Sequence, residues 1–314
     1  MANLSSICVI VPTLNAGAEW DTTVRSILRQ RIAPEQVLIV DSQSTDGTAE
    51  RARECGFQVV EMERSRFNHG GTRQWALQFV PAAEIVVYMT QDGILASDDA
   101  LEKLIVAFDD PAVVGAFGRQ LPRISAGPIE VHARLFNYPE RSSVRTLATR
   151  DVLGVKTIFF SNSFGAYRRS ALDEVGGFPS NVILGEDTVT AARLLLAGWS
   201  LSYVADAQVR HSHPYSGMQE FRRYFDTGVL HAQEPWLLEK FGRTGGEGSR
   251  FVLSELAYLW KHRPILILSA IWRNALKLAG YRLGKLERRL SRGLKRRLSM
   301  HHGFWSIEKP GECS

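Results

Sequence analysis

The chain lacks several features that would place it in common protein classes. Its 314 residues include only three cysteines, Cys8, Cys55 and Cys313, and none of them forms a Cys-x-x-Cys pair. An odd number of distant cysteines without metal spacing predicts a reducing compartment, the cytosol. The longest apolar run, residues 264–272, is much shorter than the roughly 18–20 residues that a membrane-spanning helix needs. The N-terminus enters a strand-like run directly, so no signal peptide is expected.

Two glycine-rich nucleotide-binding motifs are also missing. The first predicted strand is followed by "PTLNAG" rather than by Gly-x-Gly-x-x-Gly, and no Gly-x4-Gly-Lys-[Ser/Thr] occurs. A dinucleotide cofactor site and a P-loop are therefore disfavoured. A nucleotidyltransferase is a rival enzyme class on a similar sheet, and it would need a Gly-rich loop with a Lys or Arg near this strand. The loop here has no basic residue.

What is present is an ordinary globular composition with an uneven charge. Hydrophobic residues make up 45% of the chain and charged residues 23%, which excludes disordered and collagen-like proteins. The length fits one large α/β domain with an extension, or two small domains. The formal net charge is +5, yet residues 273–302 carry ten Lys and Arg against one acid, Glu287. The rest of the chain is slightly acidic, so the basic segment predicts an anionic surface as its partner.

The first hundred residues alternate between strand-like and helix-like patterns. Strands are predicted at residues 6–11, 36–40, 58–61 and 85–89, and helices at 19–30, 48–55 and 71–79. This alternation predicts a parallel, doubly wound sheet, on which ligands bind at the carboxyl ends of the strands. Thr13, Asp41 and Asp92 fall at those ends, so we expect them to share one crevice. For any one of them, a turn-forming residue at a strand end is the alternative.

Two later groups of polar residues offer catalytic or metal-binding chemistry. Glu186 and Asp187 precede a helical pattern, where an acid would either cap the helix or act as a general base in the crevice. His211 and His213 stand at i and i+2 of an extended segment, so both side chains point to one face. They would either complete a metal site with Asp92 or be ordinary surface histidines.

These residues lie in motifs that carry a family resemblance. The chain resembles family 2 inverting glycosyltransferases of the GT-A fold, and within them the bacterial O-antigen rhamnosyltransferases. The general motifs are "VIVPTLNAG" (9–17), "VDSQSTDGT" (40–48), "TQD" (90–92) and "GED" (185–187). The more specific ones are "FNHGGTR" (67–73), "TQDG" (90–93), "GRQLPR" (118–123), "SNSFGAYRRS" (161–170), "VRHSH" (209–213) and "RYFDTGVLHA" (223–232). The resemblance thins after about residue 285.

The resemblance implies a role for each matching position. The implied donor-nucleotide contacts are Pro12, Thr13, Asn15, Asp41, Gln91 and Asp92. The implied donor sugar and diphosphate contacts are His69 and Arg73, and the implied acceptor wall is Asn162 and Glu186. The implied base is Asp187, and the implied metal ligands are Asp92, His211 and His213. On the residues alone, His69 is equally a loop histidine packed by Phe67, and Arg73 a solvated helix residue.

The sequence departs from the family pattern at Gln91, which stands where the first acid of Asp-x-Asp is usual. A neutral amide still offers hydrogen bonds but weakens a metal site. One carboxylate would suffice if the diphosphate supplied further oxygen ligands, as Mg²⁺ sites commonly allow. We therefore expect a divalent ion, Mg²⁺ or Mn²⁺, whose binding depends on the donor.

The resemblance also implies a reaction. The donor would be dTDP-β-L-rhamnose, and the acceptor a sugar on a polyprenyl-diphosphate-linked O-antigen intermediate. Direct displacement would invert the anomeric centre and give an α-linked product. The alternatives are another nucleotide-sugar donor on the same fold, or a non-catalytic sugar-nucleotide-binding scaffold.

The C-terminal part is predicted to be a separate region. We expect a GT-A domain over residues 1–235 and a helical region over 236–314. Leucines at three- and four-residue spacing among arginines and lysines predict a basic amphipathic helix within residues 273–302. It would dock the enzyme peripherally on the cytoplasmic face of the bacterial inner membrane. A solvated helix or a homodimer contact is the alternative, and no aromatic stacking surface supports nucleic-acid binding.

Overall fold

The computed structural model describes residues 4–242 and 246–306, and its centre is a mixed sheet. Nine strands are described: β1 Ile7–Thr13, β2 Val37–Asp41, β3 Gln58–Glu61, β4 Ile85–Met89, β5 Ile94–Leu95, β6 Val113–Leu121, β7 Ser143–Arg145, β8 Phe164–Arg168 and β9 Ser200–Arg210. They lie in the order β3-β2-β1-β4-β8-β6-β9-β5, and β7 pairs with β9. Strands β3, β2, β1 and β4 are parallel, while β8 runs antiparallel to both β4 and β6.

Helices connect and cover the strands. Those described are α1 Trp20–Leu28, α2 Thr48–Glu54, α3 His69–Ala76, α4 Ala100–Ile105, α5 Pro128–Asn137, α6 Arg150–Leu153, α7 Arg169–Glu174, α8 Glu186–Leu196, α9 Gly217–Gln233, α10 Trp236–Phe241, α11 Glu247–His262, α12 Ile267–Lys285 and α13 Arg292–Leu298. Within the described ranges, no helix is long and apolar enough to cross a membrane.

The sheet is buried on both faces, as a doubly wound sheet requires. Alternate residues of β1 enter different core clusters: Ile10 packs in one with Tyr88 of β4, and Val9 in the other with Val87. Side chains alternate across a strand, so the two clusters lie on opposite faces. Cys8 is a small core residue as predicted, and burial raises the pKa of its thiol to about 12. Cys313 lies outside the described residues.

The four predicted strands and their parallel arrangement are confirmed, with shifts at the ends. Strand β1 continues through Pro12 to Thr13, so Thr13 pairs in register with Asp41. The third helix begins at His69 instead of residue 71, because Asn68 caps it by accepting a hydrogen bond from the Gly71 amide at 2.9 Å.

The prediction of one basic amphipathic helix in the C-terminal region is wrong. Helix α12 ends at Lys285, a short 3₁₀ turn follows, and α13 begins at Arg292. Leu283, Leu290 and Leu298 pack against the main core cluster, which also contains Phe225, Leu237 and Trp305. These three leucines thus serve the protein's own core, while Leu286 and Leu294 are exposed, and the core is continuous across the predicted boundary at residues 235/236.

Candidate active site

The ends of β1 and β2 form the first wall of the crevice. Asp41 is 1% exposed, and it accepts hydrogen bonds from the Thr13 hydroxyl at 2.8 Å and from the Ser44 hydroxyl and amide at 2.6 and 2.8 Å. A carboxylate offers about four acceptor positions, so one remains. Asn15, with a positive φ of 45°, ties the two loops together, since its side chain accepts from the Thr45 amide at 2.8 Å.

Gln91 fastens the end of β4 to the end of β1. Its side-chain oxygen accepts from the Leu14 amide at 2.7 Å, and its side-chain nitrogen donates to the Leu14 carbonyl at 3.2 Å. A carboxylate could accept the first of these bonds but could not donate the second. The amide at this position is therefore explained by a backbone contact, and its role toward a nucleotide stays a prediction.

The second wall holds a compact group of ligand atoms, here called the Asp-His-His cluster: Asp92, His211 and His213. One ligand atom from each lies within 4.8 Å of the others. His211 Nε2 is 3.4 Å from one oxygen of Asp92, and His213 Nε2 is 3.6 Å from the other. The histidines follow β9, and they point to one face as their spacing predicted.

Neighbouring groups orient this cluster and set its charge. His211 Nδ1 lies 3.2 Å from the side-chain oxygen of Gln120, which leaves Nε2 directed at Asp92. Burial opposes ionisation of Asp92, but the hydrogen bond and charge of His211, and then His213, lower its pKa overall. Burial and His211 lower the pKa of His213 to about 4, so this ring is neutral at pH 7. Arg123 also contacts Asp92 at 3.4 Å.

The third wall contains a buried ion pair that the sequence did not reveal. Arg73 and Glu186 are 6% exposed each, and their charged atoms are 2.7 Å apart. Arg73 also donates to the His69 carbonyl at 2.9 Å. It is thus not a solvated helix residue, and its role toward the diphosphate stays a prediction. A Cβ at Gly70 would lie 1.8 Å from the Pro179 carbonyl, which explains the glycine by close packing of α3.

Asp187 lies beside this pair but in a different electrostatic state. Burial, and then the charge of Glu186, raise its pKa to about 7. Its oxygens accept from the Asn162 amide at 3.2 Å and the Thr188 amide at 2.7 Å. Arg73 is the main group that lowers the pKa of Glu186. The ion pair therefore keeps Glu186 charged and leaves Asp187 as the acid that titrates near neutrality.

A hydrogen-bonded path joins the two walls. Gln120, which contacts His211, also donates to the Ser161 hydroxyl at 2.8 Å. The next residue, Asn162, bonds Asp187 through its amide and Glu186 through its side chain at 3.3 Å. Asn162 is 2% exposed. It is placed to hold both acids, and its predicted role at the acceptor wall stays a prediction.

The C-terminal segment returns to this wall. The ring of His69 lies edge-on to Phe67 and to His301, with 5.1 Å between centroids in each case. The backbone amide of Met300 donates to Asp226 at 2.8 Å and so holds the segment in place. Burial and the neighbouring His69 lower the pKa of His301 to about 3. Both interpretations of His69 therefore remain open: it packs on Phe67 and it borders the Glu186 site.

Sequence reasoning missed three residues of the site: Gln120, Arg123 and His301. The first two lie in "GRQLPR", a motif noted for the resemblance but given no role. That motif was a usable signal, because β6 ends beside β9 and therefore beside the histidines. His301 gave no signal, since nothing local in the sequence predicts that the C-terminal segment folds back.

Comparisons with known proteins identify the family and the fold. A model of the family described as Glycosyl transferase family 2 matches residues 8–176. The chain is 44% identical over 301 residues to the O-antigen chain rhamnosyltransferase RfbN of Salmonella typhimurium, and 96% of each protein is covered. It is also 44% identical over 304 residues to the O-antigen chain rhamnosyltransferase WbaN of Salmonella anatum, again over 96% of each.

Among solved structures, the chain is similar to the mannosyltransferase PcManGT from Pyrobaculum calidifontis, which was determined with GDP-Man and Mn²⁺. The TM-score is 0.56 at 20% identity, covering 96% of this chain and 85% of that one. At this identity the likeness bears on the fold alone. It confirms the GT-A expectation.

Proposed function

The chain belongs to glycosyl transferase family 2, and from that premise we propose that it transfers L-rhamnose from dTDP-β-L-rhamnose to a sugar on a polyprenyl-diphosphate-linked O-antigen intermediate. One observation carries the sugar assignment: two relatives at 44% identity over nearly their whole length are named O-antigen chain rhamnosyltransferases. The site supports the chemistry, because Asp187, whose pKa is raised to about 7, shares a hydrogen-bonded network with the Asp-His-His cluster.

Asp187 is the proposed general base. It would accept the proton of the acceptor hydroxyl as that oxygen attacks the anomeric carbon, and direct displacement would invert the configuration. A base works best when its pKa lies near the working pH, and that of Asp187 is raised to about 7. Asn162 and Thr188 hold its oxygens through backbone amides, so the carboxylate is oriented before substrate arrives.

The Asp-His-His cluster is the proposed site of the divalent ion. The residues fit, because one ligand atom from each of two imidazoles and a carboxylate lies within 4.8 Å of the others. Gln120 also accepts from Nδ1 of His211, which leaves Nε2 free to bind an ion. The donor set favours Mn²⁺ over Mg²⁺, since imidazole is a poor ligand for Mg²⁺. The ion would neutralise the charge that develops on the departing nucleoside diphosphate. Arg123 competes for Asp92, so we expect tight metal binding only with donor present.

Asp41 and its neighbours are the proposed nucleotide pocket. The remaining acceptor position of Asp41 would take the N3–H of a pyrimidine, while the bonds from Thr13 and Ser44 hold the carboxylate still. Pro12 and Asn15 belong to the same rim. This pocket would distinguish pyrimidine from purine nucleotides, but it offers nothing that separates dTDP from UDP.

Donor-dependent release of nucleoside diphosphate tests the proposal. The protein is incubated with lipid-linked acceptor, Mn²⁺ or Mg²⁺, and one of dTDP-rhamnose, UDP-galactose or GDP-mannose. We expect release of nucleoside diphosphate from dTDP-rhamnose alone. The Asp187→Asn variant is the inactive control and should release none. Release from another donor would retain the glycosyltransferase mechanism and overturn the rhamnose assignment. No release from any donor, with an acceptor verified by another enzyme, would favour a binding scaffold.

A further inference from the structure

The outer surface of the hairpin formed by α11 and α12 is apolar where a surface helix is ordinarily polar. Trp260 and Trp272 are 72% and 63% exposed, and Ile265 and Leu268 are 82% and 79% exposed. Leu253, Ile271 and Leu278 add to this exposed set. Groups of large exposed apolar side chains mark interaction sites on soluble proteins when they lie together on one surface. We call these seven side chains the hairpin patch.

The patch follows helical spacing on both helices. On α11, Leu253 and Trp260 are seven residues apart and share one face, while Leu259, about 100° around the helix from Trp260, is buried. On α12, Leu268, Ile271 and Leu278 recur at three- and seven-residue intervals, while Ala270 is buried. Each helix therefore has an apolar stripe toward solvent in addition to the face that packs inward, which is the pattern of a helix covered on both sides.

The charges around the patch are of one sign. The sequence has no Asp or Glu between Glu255 and Glu287. Both of those acids are buried and bound within the protein, Glu255 by the Asn274 amide at 2.5 Å and Glu287 by an ion pair with Lys295 at 2.5 Å. Exposed basic residues of the hairpin include Lys261, Arg263, Arg282 and Lys285, and a fifth, Arg250, pairs with Glu247. Exposed tryptophans next to uncompensated cations match the chemistry of a lipid headgroup layer with anionic lipids.

We propose that the α11–α12 hairpin docks the protein on an anionic phospholipid surface, with the hairpin patch inserted at headgroup depth. The helices lie along the surface, since none of those described is apolar enough over its length to cross. This places the membrane contact on a different surface from the leucine pattern of residues 283–298, whose Leu283, Leu290 and Leu298 pack inward. The inference rests on the proposed function only for its purpose, which is to reach a lipid-linked acceptor.

The docking surface is rigidly joined to the active site. Arg273 of α12 donates to the Tyr215 carbonyl and to Glu220 at 2.9 Å, and Tyr215 is two residues beyond His213 of the Asp-His-His cluster. A Cβ at Gly284 would lie 2.0 Å from the Phe225 carbonyl, so α12 and α9 pack backbone to backbone. Docking through the hairpin would therefore hold the site at a fixed height above the lipid.

Vesicle co-sedimentation of the full chain tests the proposal. The vesicles are phosphatidylglycerol with phosphatidylethanolamine, and pure phosphatidylcholine is the neutral comparison. We expect the wild type to bind the anionic vesicles and the double variant Trp260→Ser plus Trp272→Ser to bind about tenfold less, or weaker still. The matched control is Val106→Ser plus Val152→Ser, which removes two exposed apolar side chains elsewhere and should bind like the wild type.

Three results would overturn the proposal. The first is a wild type that stays in the supernatant with anionic vesicles, and the second is a tryptophan variant that sediments as well as the wild type. The third is a wild type that binds no vesicles but is a dimer by light scattering, while the tryptophan variant is a monomer. The last result would assign the patch to a second copy of the chain. Binding of dTDP-rhamnose in solution is measured alongside, and it should be unchanged in the variant. Loss of vesicle binding with donor binding intact therefore separates this inference from the proposed reaction.

Discussion

Both the second and the third wall of the site contain a buried or half-buried carboxyl group, but the pKa of Asp92 is lowered at one wall and that of Asp187 is raised at the other. At the Asp-His-His cluster, His211 and His213 hold the pKa of Asp92 low. At the other wall, Arg73 pairs directly with Glu186 and lowers its pKa, while burial and the charge of Glu186 outweigh Arg73 at Asp187 and raise the pKa of that residue to about 7.

The pKa of an acid in this site is set by its three-dimensional neighbours and not by its neighbours in the sequence. Glu186 and Asp187 are adjacent, yet the first is held charged and the pKa of the second is raised to about 7, because Arg73 pairs directly with Glu186 and acts on Asp187 more weakly than burial and the charge of Glu186. Pairs of acids whose surroundings drive their pKa values apart are typical of sites that use each for a different task. Single substitutions at Asp187, Arg73 and Gln120 would each remove one part of this contrast.

The largest effect is expected from Asp187→Asn. The amide cannot take the acceptor proton, so kcat should fall on the order of 10²–10⁴-fold. Donor binding should be retained, because Asp187 is assigned no donor contact. Turnover is followed by nucleoside diphosphate release and donor binding by calorimetry. Wild-type turnover by this variant would remove Asp187 from the mechanism. Asp173→Asn, a change at an acid in α7 away from the site, serves as the control.

The next largest effect is expected on stability, from Arg73→Met. Removing one partner of a buried ion pair leaves Glu186 buried without its cation, at a cost of about 3–5 kcal/mol in the free energy of unfolding. Adding Glu186→Gln should restore part of that loss, since no charge is then left alone. Urea unfolding of both single variants and the double variant gives the interaction energy. Additive effects would show that the two side chains do not interact.

A smaller effect is expected from Gln120→Leu. Gln120 orients His211 and also bonds Ser161, so its loss frees the ring without removing a ligand. Changes to such supporting groups typically weaken metal affinity about 10–100-fold. Titration of Mn²⁺ in the presence of dTDP measures the affinity, and Gln58→Leu, at an exposed position of β3, is the control. Unchanged affinity would mean that His211 is not a ligand or needs no support.

The sequence was sufficient for the parallel half of the sheet because its strands are continuous buried apolar runs. It was also sufficient for the convergence of Thr13, Asp41 and Asp92, since strand ends of a parallel sheet meet at one edge. The spacing of His211 and His213 on an extended segment predicted that they face one way, and their closeness to Asp92 is the alternative that the family resemblance favoured.

The remainder depends on contacts between residues distant in the chain. Arg73 and Glu186 are over a hundred positions apart, and helical periodicity said nothing about which face of α3 meets α8. The C-terminal helix was predicted from leucine spacing, which is the same whether the leucines face lipid or the protein's own core. Three of them, Leu283, Leu290 and Leu298, pack against the core.

The smallest expected effect, and the one that tests the contrast between the walls most directly, is on pH dependence. Asp187 must be ionised to accept a proton, so kcat should rise with pH through about 7 and then level off. Because its folded pKa lies above the ordinary 3.8, the folded state holds the proton more tightly, and this residue's contribution to stability falls as pH rises from about 4 to 7. Asp187→Asn should therefore raise the melting temperature at pH 8 relative to the wild type, and much less at pH 4. If kcat instead rises with pH near pH 4, or if the variant is less stable than the wild type at pH 8, Asp187 is an ordinary charged cap of α8.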